Sequence, residues 1–487
     1  LNDRCGSEIQ TGYKEWRLVV ALVFERILIE GLGNLSYLIG DDANGIAAVI
    51  DPCADVDVYL DLARHHKVAV THIFQTHVHE DFMSGAVELA VRSGSATNFM
   101  SYEGDGGSYG YEHKPLRDGD TFEFGNVVLT ARHTPGHTPE HMAFLIAESK
   151  RAAHPYGVFT GGSLLINAAG RTDLLGPEQA EKLVAAQYHT LYNFYLGLDD
   201  YVLVHPTHAH GSPCGAQIGD RLSSTIGYER RLNPFLQFKS LSQFHDFALG
   251  NLPPKPTYYP RLKETNTAGP VVLGNLPRVP ALPVSAFKQH VDEGKSIVID
   301  TRMMLAFGGG HVPGALNIGA LPELSIWAGW ILDAGRPILL VLEDDEHLDT
   351  VIRLFVRTGF TKFTGYLTGG MKAWGNAGLP IQSLRQVSVH ELRAQAMDYQ
   401  VVDVRAPDEW KKGHIPNAQH VFLPELRERL GVLKKEAPVA LYCDSGYRAT
   451  LAASLLQQAG FTDVCSIPGS WQAWTRAGYP VDKSVSR

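Results

Sequence analysis

Cysteine is scarce in this chain and widely spaced. Five occur in 487 residues, at positions 5, 53, 214, 443 and 465, and no two form a CxxC pair. An odd number at such spacing is not a disulfide framework, so a reducing cytoplasm is the expected compartment. Long apolar runs are missing as well, and no stretch reaches the roughly 18 residues that a membrane-spanning helix needs. Residues 18–24 are apolar but run straight into Glu25 and Arg26 without a small-residue cleavage site, so they read as a first strand rather than a signal peptide. A basic excess is also lacking. Lys and Arg total 43 against 52 Asp and Glu, a net charge of −9, which argues against a nucleic-acid footprint and for small-molecule substrates. The apolar share of 44% and charged share of 20% are those of a globular chain, and the length predicts about three domains.

An internal repeat accounts for two of them. Val298-Ile299-Asp300-Thr301-Arg302 recurs as Val401-Val402-Asp403-Val404-Arg405, and Gly310-His311-Val312-Pro313 as Gly413-His414-Ile415-Pro416, both 103 residues on. Ala373-Trp374 returns as Ala473-Trp474, 100 residues on. Each copy alternates short β-branched runs with helical patterns, which predicts a parallel sheet covered on both faces. Eight prolines between 251 and 283 mark an extended linker. Upstream lies a larger domain that opens with strand-like runs at 26–29, 36–39, 47–50 and 68–74, continues at 122–130 and 142–146, and has a helical pattern at 177–198.

The chain contains 21 His, and eight of them fall in three short loops. In Thr76-His77-Val78-His79-Glu80-Asp81-Phe82 an apolar strand feeds an HxH pair. Residues two apart in extended chain point the same way, so both imidazoles can share one metal. The other clusters are His133-Thr134-Pro135-Gly136-His137-Thr138-Pro139-Glu140-His141 and His205-Pro206-Thr207-His208-Ala209-His210. Neutral imidazole suits zinc and iron alike.

HxHxD after a strand, then TPGHT, then FTG, resembles the metallo-β-lactamase superfamily. The run Phe159-Thr160-Gly161-Gly162-Ser163-Leu164-Leu165-Ile166, followed by Gly170-Arg171-Thr172-Asp173, is similar to its persulfide dioxygenase branch. The resemblance implies an αββα fold, one Fe(II) per chain, and oxidation of thiol persulfides by O2 to sulfite. It places metal ligands at His77, His137 and position 162. Two residues depart from the pattern. Phe82 stands where a second-metal His is expected, which argues against a dinuclear zinc hydrolase. Gly162 stands where an Asp ligand is expected. His77, His79 and His137 are then the expected donors, with Asp81 able to move in and His208 as a further ligand or an orienting residue. Arg171 reads either as a partner for a substrate carboxylate or as a structural pair with Asp173.

In the second repeat an apolar strand leads to Cys443-Asp444-Ser445-Gly446-Tyr447-Arg448, followed by a helical pattern. Backbone N–H groups of such a loop can form an anion cradle, and Arg448 adds fixed positive charge, so Cys443 is expected to act as a thiolate nucleophile. Cys443 and Arg448 are the catalytic candidates, with Asp444, Ser445, Gly446 and Tyr447 forming the loop. This resembles the rhodanese family, whose Cys carries sulfane sulfur as a persulfide. The six-residue loop has the length associated with sulfur transfer there; phosphatase relatives use a loop one residue longer. The first repeat has Leu342 in place of Cys443 and His347 in place of Arg448, with Glu343, Asp344 and Asp345 between, and reads as catalytically silent.

The expected architecture is an α/β multidomain chain: an N-terminal extension (1–23), an αββα metallo-β-lactamase-like domain (24–265), a Pro-rich linker (266–283), and two rhodanese-like α/β domains with parallel sheets (284–384 and 385–487). The resemblance to persulfide dioxygenase–rhodanese fusions implies a sulfur-metabolism enzyme acting on thiol persulfide, O2, and thiosulfate or sulfite, as a homodimer or homotetramer, without nucleic acid or membrane. The alternatives are a sulfurtransferase with a degenerate first domain, and a zinc thioester hydrolase.

Overall fold

The computed structural model describes residues 22–483 except 95, 105, 106 and 251; the expected N-terminal extension lies outside them, apart from its last two residues. The first domain is built on two six-stranded sheets stacked face to face. In one, Leu22–Ile29, Asn34–Asp41 and Ile46–Ile50 run antiparallel, and Ala69–Phe74, Thr97–Ser101 and Lys114–Leu116 continue in parallel. In the other, Gly157–Gly161 joins the hairpin strands Val127–His133 and Met142–Glu148 to Leu203–Pro206. Asn34–Asp41 is buried at every position, as a strand covered on both faces must be. Leu35, Tyr37, Phe74, Phe144 and Phe159 fill the space between the sheets. Helices Asp57–His66 and Ala86–Ser93 cover the outer face of the first sheet through Tyr59 and Leu89, and Pro177–His189 covers the second through Val184. The result is an αββα sandwich.

Three local readings change. The single strand expected over 122–130 is two, Thr121–Phe124 and Val127–His133, folded back at Gly125, whose φ of +67° suits glycine. The helix expected over 177–198 ends at His189 and unwinds through a wide turn, Thr190–Phe194. Within the proline-rich stretch, Tyr259–Ala268 is a helix. Pro260 lies in its first turn, where a missing N–H costs no hydrogen bond. Asn266 on this helix donates from Nδ2 to the carbonyls of His79 (2.7 Å) and Phe82 (2.9 Å), so the segment is packed onto the HxH loop.

The two repeats are five-stranded parallel sheets with the same spatial order, centred on Ile297–Asp300 and Ile338–Val341 in the first and on Gln400–Asp403 and Val439–Tyr442 in the second. In each, the Asp of the D-x-R segment pairs with its Arg: Asp300 with Arg302 and Asp403 with Arg405, both at 2.6 Å. Their cores run into one another through Leu316, Leu451 and Leu455. Among the described residues no helix is long and apolar enough to cross a membrane.

Candidate metal centre and nucleophile loop

The strand Ala69–Phe74 ends at the edge of the inter-sheet space, and residues 75–85 loop across it. The turn between Val127–His133 and Met142–Glu148 brings in His137, and the end of Leu203–Pro206 brings in His208. A donor nitrogen of each of His77, His137 and His208 lies within 4.8 Å of the others. All three side chains are buried, and all three Nε2 atoms lack a hydrogen-bond partner.

The other ring nitrogen explains why. Thr76 donates its hydroxyl hydrogen to Asp51 at 2.8 Å, leaving its oxygen to accept from His77 Nδ1 at 2.8 Å. His137 Nδ1 donates to the Arg171 carbonyl at 2.8 Å. His208 Nδ1 lies 3.0 Å from the Asn34 amide nitrogen and 3.2 Å from an Asp81 carboxylate oxygen, to which Asn34 also donates at 2.6 Å. On His77 and His137 the acceptor demands a proton on Nδ1, so Nε2 of each presents a lone pair; Nδ1 of His208 faces both a donor and an acceptor, so its partners do not fix its tautomer. Burial, then neighbouring imidazoles, hold His77 well below the usual histidine range; burial and His208 hold His137 down to about 3. Both are therefore neutral near pH 7, the form that binds metal. This donor set fits a single divalent ion.

The remaining candidates are placed as follows. His79 turns towards Asp51, with its Nε2 3.0 Å from that carboxylate, and Phe82 stacks on its ring at 4.3 Å. Burial pulls the His79 pKa down, but Asp51 outweighs it and the value is raised. His79 adjoins His77, with ring centroids 4.2 Å apart, but it lies outside the group of three. Asp81 is the partner of His208; burial opposes its ionisation, yet His208, His79 and Asn34 hold its pKa below the usual range. His141 is occupied at both nitrogens, by the Thr134 hydroxyl and by the Gly162 N–H. Gly162 explains the missing carboxylate: a Cβ there would lie 2.2 Å from His137 Cδ2, so the backbone has closed on the ring. Arg171 is buried, with Nε and Nη2 on Asp173 at 2.7 and 2.8 Å and Nη1 on the Pro213 carbonyl. Its side chain is thus engaged within the protein, while its carbonyl orients His137.

Asn34 and Asp51 were not signalled by any His-rich motif, and Thr76 was given no role within its own. Asp51 sits at φ +53° and holds Thr76 N–H, Thr76 Oγ1 and Thr207 Oγ1, which ties the segments carrying His77 and His208 together. An isolated polar residue ending a β-branched strand is the only sequence trace it leaves. Cys214 groups with Asp81 and His208 and lies 3.5 Å from the Tyr259 hydroxyl. Tyr259 in turn lines a cleft of about 690 Å³, together with Glu80, Tyr109, Leu174, Lys255 and Lys263. Lys263 is kept charged by Glu80 and Glu140 against the cost of burial.

Cys443 closes the buried strand Val439–Tyr442 and is itself buried. The Gly446 N–H donates to its Sγ at 3.0 Å, and its own N–H donates to Ser470 Oγ. Helix Tyr447–Gln458 starts immediately after the loop. Arg448 lies in its first turn and is held by both oxygens of Glu409, at 2.6 and 2.8 Å; burial opposes its charge, and Glu409 and Cys443 favour it more. Asp444, Ser445, Tyr447 and Arg448 line a cleft of about 510 Å³ whose other walls include His210 of the first domain and Trp327 of the first repeat. The loop thus faces the first domain across a shared space.

The rhodanese-like domain family matches residues 284–377 and 388–477. The mitochondrial persulfide dioxygenase ETHE1 of Homo sapiens is 30% identical over 226 residues, 46% of this chain and 79% of that protein. A hydroxyacylglutathione hydrolase of Synechococcus sp. is 30% identical over 228 residues, 42% of this chain and 84% of that protein. Among solved structures, a metallo-β-lactamase from Staphylococcus aureus is 28% identical, with a TM-score of 0.64, covering 71% of this chain and 99% of that one. With an αββα sandwich carrying the histidine centre and two rhodanese-like domains behind it, the chain belongs to the family of persulfide dioxygenase–rhodanese fusions.

Proposed function

We propose that this sulfur-metabolism enzyme oxidises a low-molecular-weight thiol persulfide to sulfite at a mononuclear iron centre and moves sulfane sulfur through Cys443. The observation that carries the reading is the convergence of three buried, unpartnered Nε2 atoms from His77, His137 and His208. The overall reaction, RSSH + O2 + H2O giving RSH, HSO3⁻ and H⁺, balances without a further reductant. A bound Fe(II) would supply the redox-active centre for O2 chemistry. The protein residues do the rest. Thr76 and the Arg171 carbonyl fix His77 and His137 in the metal-binding tautomer, and Asp81 and Asn34 position the His208 ring. Phe82, packed with Ile29, Leu32 and Cys53 and stacked on His79, puts an apolar wall beside the site. The adjoining cleft carries Lys255 and Lys263 beside Glu80 and Glu264, so its polar groups can pair with either end of a zwitterionic persulfide carrier.

At the second centre the Cys443 thiolate attacks the sulfane sulfur of a donor. The donor S–S bond breaks, the donor thiolate leaves, and the Cys443 persulfide forms. The Gly446 N–H, aimed at Sγ, stabilises the negative sulfur. Attack on the outer sulfur by sulfite or a thiol regenerates Cys443. The cleft beside the loop opens towards His210 and Gly211 of the first domain, so a donor or acceptor bound there would sit between the two domains.

The test is anaerobic purification, metal quantification, and O2 consumption with a thiol persulfide. Stoichiometric iron and O2 uptake that His77→Ala abolishes are expected. Zinc with thioester cleavage and no O2 uptake would overturn the dioxygenase reading in favour of a hydrolase. Absence of metal with Cys443 transfer intact would leave a sulfurtransferase.

A further inference from the structure

The first repeat lacks a nucleophile, yet it holds the metal-site loop from behind. The Met83 N–H, two residues past Asp81, donates to the Arg357 carbonyl at 2.8 Å, while the Met83 carbonyl accepts from Ala54 at 3.0 Å. The Arg357 guanidinium reaches the Asp55 carboxylate from Nε (3.2 Å) and Nη2 (2.8 Å). Asp55 is only 8% exposed, so this ion pair is largely removed from water and its loss would strand a buried carboxylate. The chain then turns at Gly359, where a Cβ would lie 2.6 Å from the Met83 methyl. Thr358 accepts from Arg261 at 2.9 Å, and Arg261 lies on the helix whose Asn266 holds the carbonyls of His79 and Phe82. Ile326 of the first repeat packs on the cluster that contains Phe82. Residues 79–83 are therefore clamped between their own domain and the silent repeat.

We propose that Arg357 is a positioning residue for the metal centre. It sets the backbone at Met83 from a separate domain, and through it the place of the Asp81 carboxylate that orients His208. This rests on reading His77, His137 and His208 as the metal donors. It gives the silent repeat a role that does not need the missing cysteine.

The test uses full-length Arg357→Ala and Arg357→Lys, with Arg353→Ala as the neighbouring control. Arg353 pairs with Asp57 at 2.7 Å in the same interface but is not bonded to the loop. Three quantities are read: the ligand-field spectrum of the cobalt(II)-loaded protein, the rate of cobalt release to a chelator, and hydrogen exchange in the peptide covering 76–85. Arg357→Ala is expected to shift the spectrum, to speed release by about tenfold or more, and to speed exchange at Met83. Arg357→Lys should recover part of each, and Arg353→Ala should match the native protein. Sulfur transfer at Cys443 should persist in all three, which shows that the chain is folded. If Arg357→Ala misfolds and loses that transfer, Arg357→Lys decides: native values in all three readouts overturn the proposal. Native spectrum, release and exchange in a folded Arg357→Ala overturn it directly. If the native protein binds no cobalt, or binds it unaltered in His208→Ala, the assignment of donors fails instead, and exchange at Met83 alone decides whether Arg357 braces the loop.

Discussion

Replacing Asp81 by Asn would test which histidines hold the metal. Asp81 is buried, and one oxygen of its carboxylate serves both His208 Nδ1, at 3.2 Å, and Asn34, at 2.6 Å. The amide keeps the shape but offers His208 Nδ1, which the Asn34 amide nitrogen also faces at 3.0 Å, a neutral and weaker partner. Removing such an outer partner of a ligating histidine typically costs 10- to 100-fold in metal affinity, about 1.4–2.7 kcal/mol. The 3.2 Å contact is at the long end of hydrogen-bond range, which places the expected loss nearer tenfold. The assay is a competition titration of cobalt(II) or zinc(II) against a chromophoric chelator near neutral pH. His208→Ala should lose more than Asp81→Asn. His79→Gln should lose less than His208→Ala, because its ring is engaged by Asp51. Native affinity in Asp81→Asn and His208→Ala, with the loss appearing in His79→Gln, would refute the reasoning and move the third donor to His79.

Three further predictions follow from the same geometry. In the metal-free protein His77, His137 and His141 all have folded pKa values depressed by burial, so the unfolded chain binds more protons below about pH 6.5. Their stabilisation is whole above that pH and lost as pH falls, for His137 down to about 3, at up to about 1.4 kcal/mol per pH unit each. Urea midpoints measured against pH should fall on acidification, and a flat or rising profile would contradict the neutral cluster. Gly162→Asp, which restores the family carboxylate, should weaken metal binding and lower Tm, because its Cβ would start 2.2 Å from His137; tighter binding in the titration would show that the loop can open. Cys443→Ser should abolish transfer from a persulfide donor while leaving metal content unchanged, measured by sulfane-sulfur assay beside elemental analysis.

Much of the fold was legible because it is written in local periodicity. The repeated β-branched runs at 298–302 and 401–405 are strands in equivalent places of two parallel sheets. The histidine loops were legible by composition, and they do meet in space. What composition could not show is which nitrogen of which ring is left without a partner. The pairing of His79 with Asp51 depends on a strand end 28 residues earlier in the chain. Likewise the helix Tyr259–Ala268 was hidden by Pro260, since a proline in a first turn carries the same letter as one that breaks a helix.

The sequence by itself determined the fold class, the family, and the presence of two candidate residue sets, because periodicity, loop length and residue chemistry are properties of short segments. Only the tertiary structure showed that donor atoms of His77, His137 and His208 come within 4.8 Å of one another, that a Cβ at Gly162 would meet the His137 ring, and that the first repeat closes on residues 79–83 through Arg357. Those outcomes turn on contacts a few ångströms long between residues as many as 302 positions apart, such as Asp55 and Arg357. Distances of that kind are set by how sheets and domains stack, and no local pattern of residues encodes them.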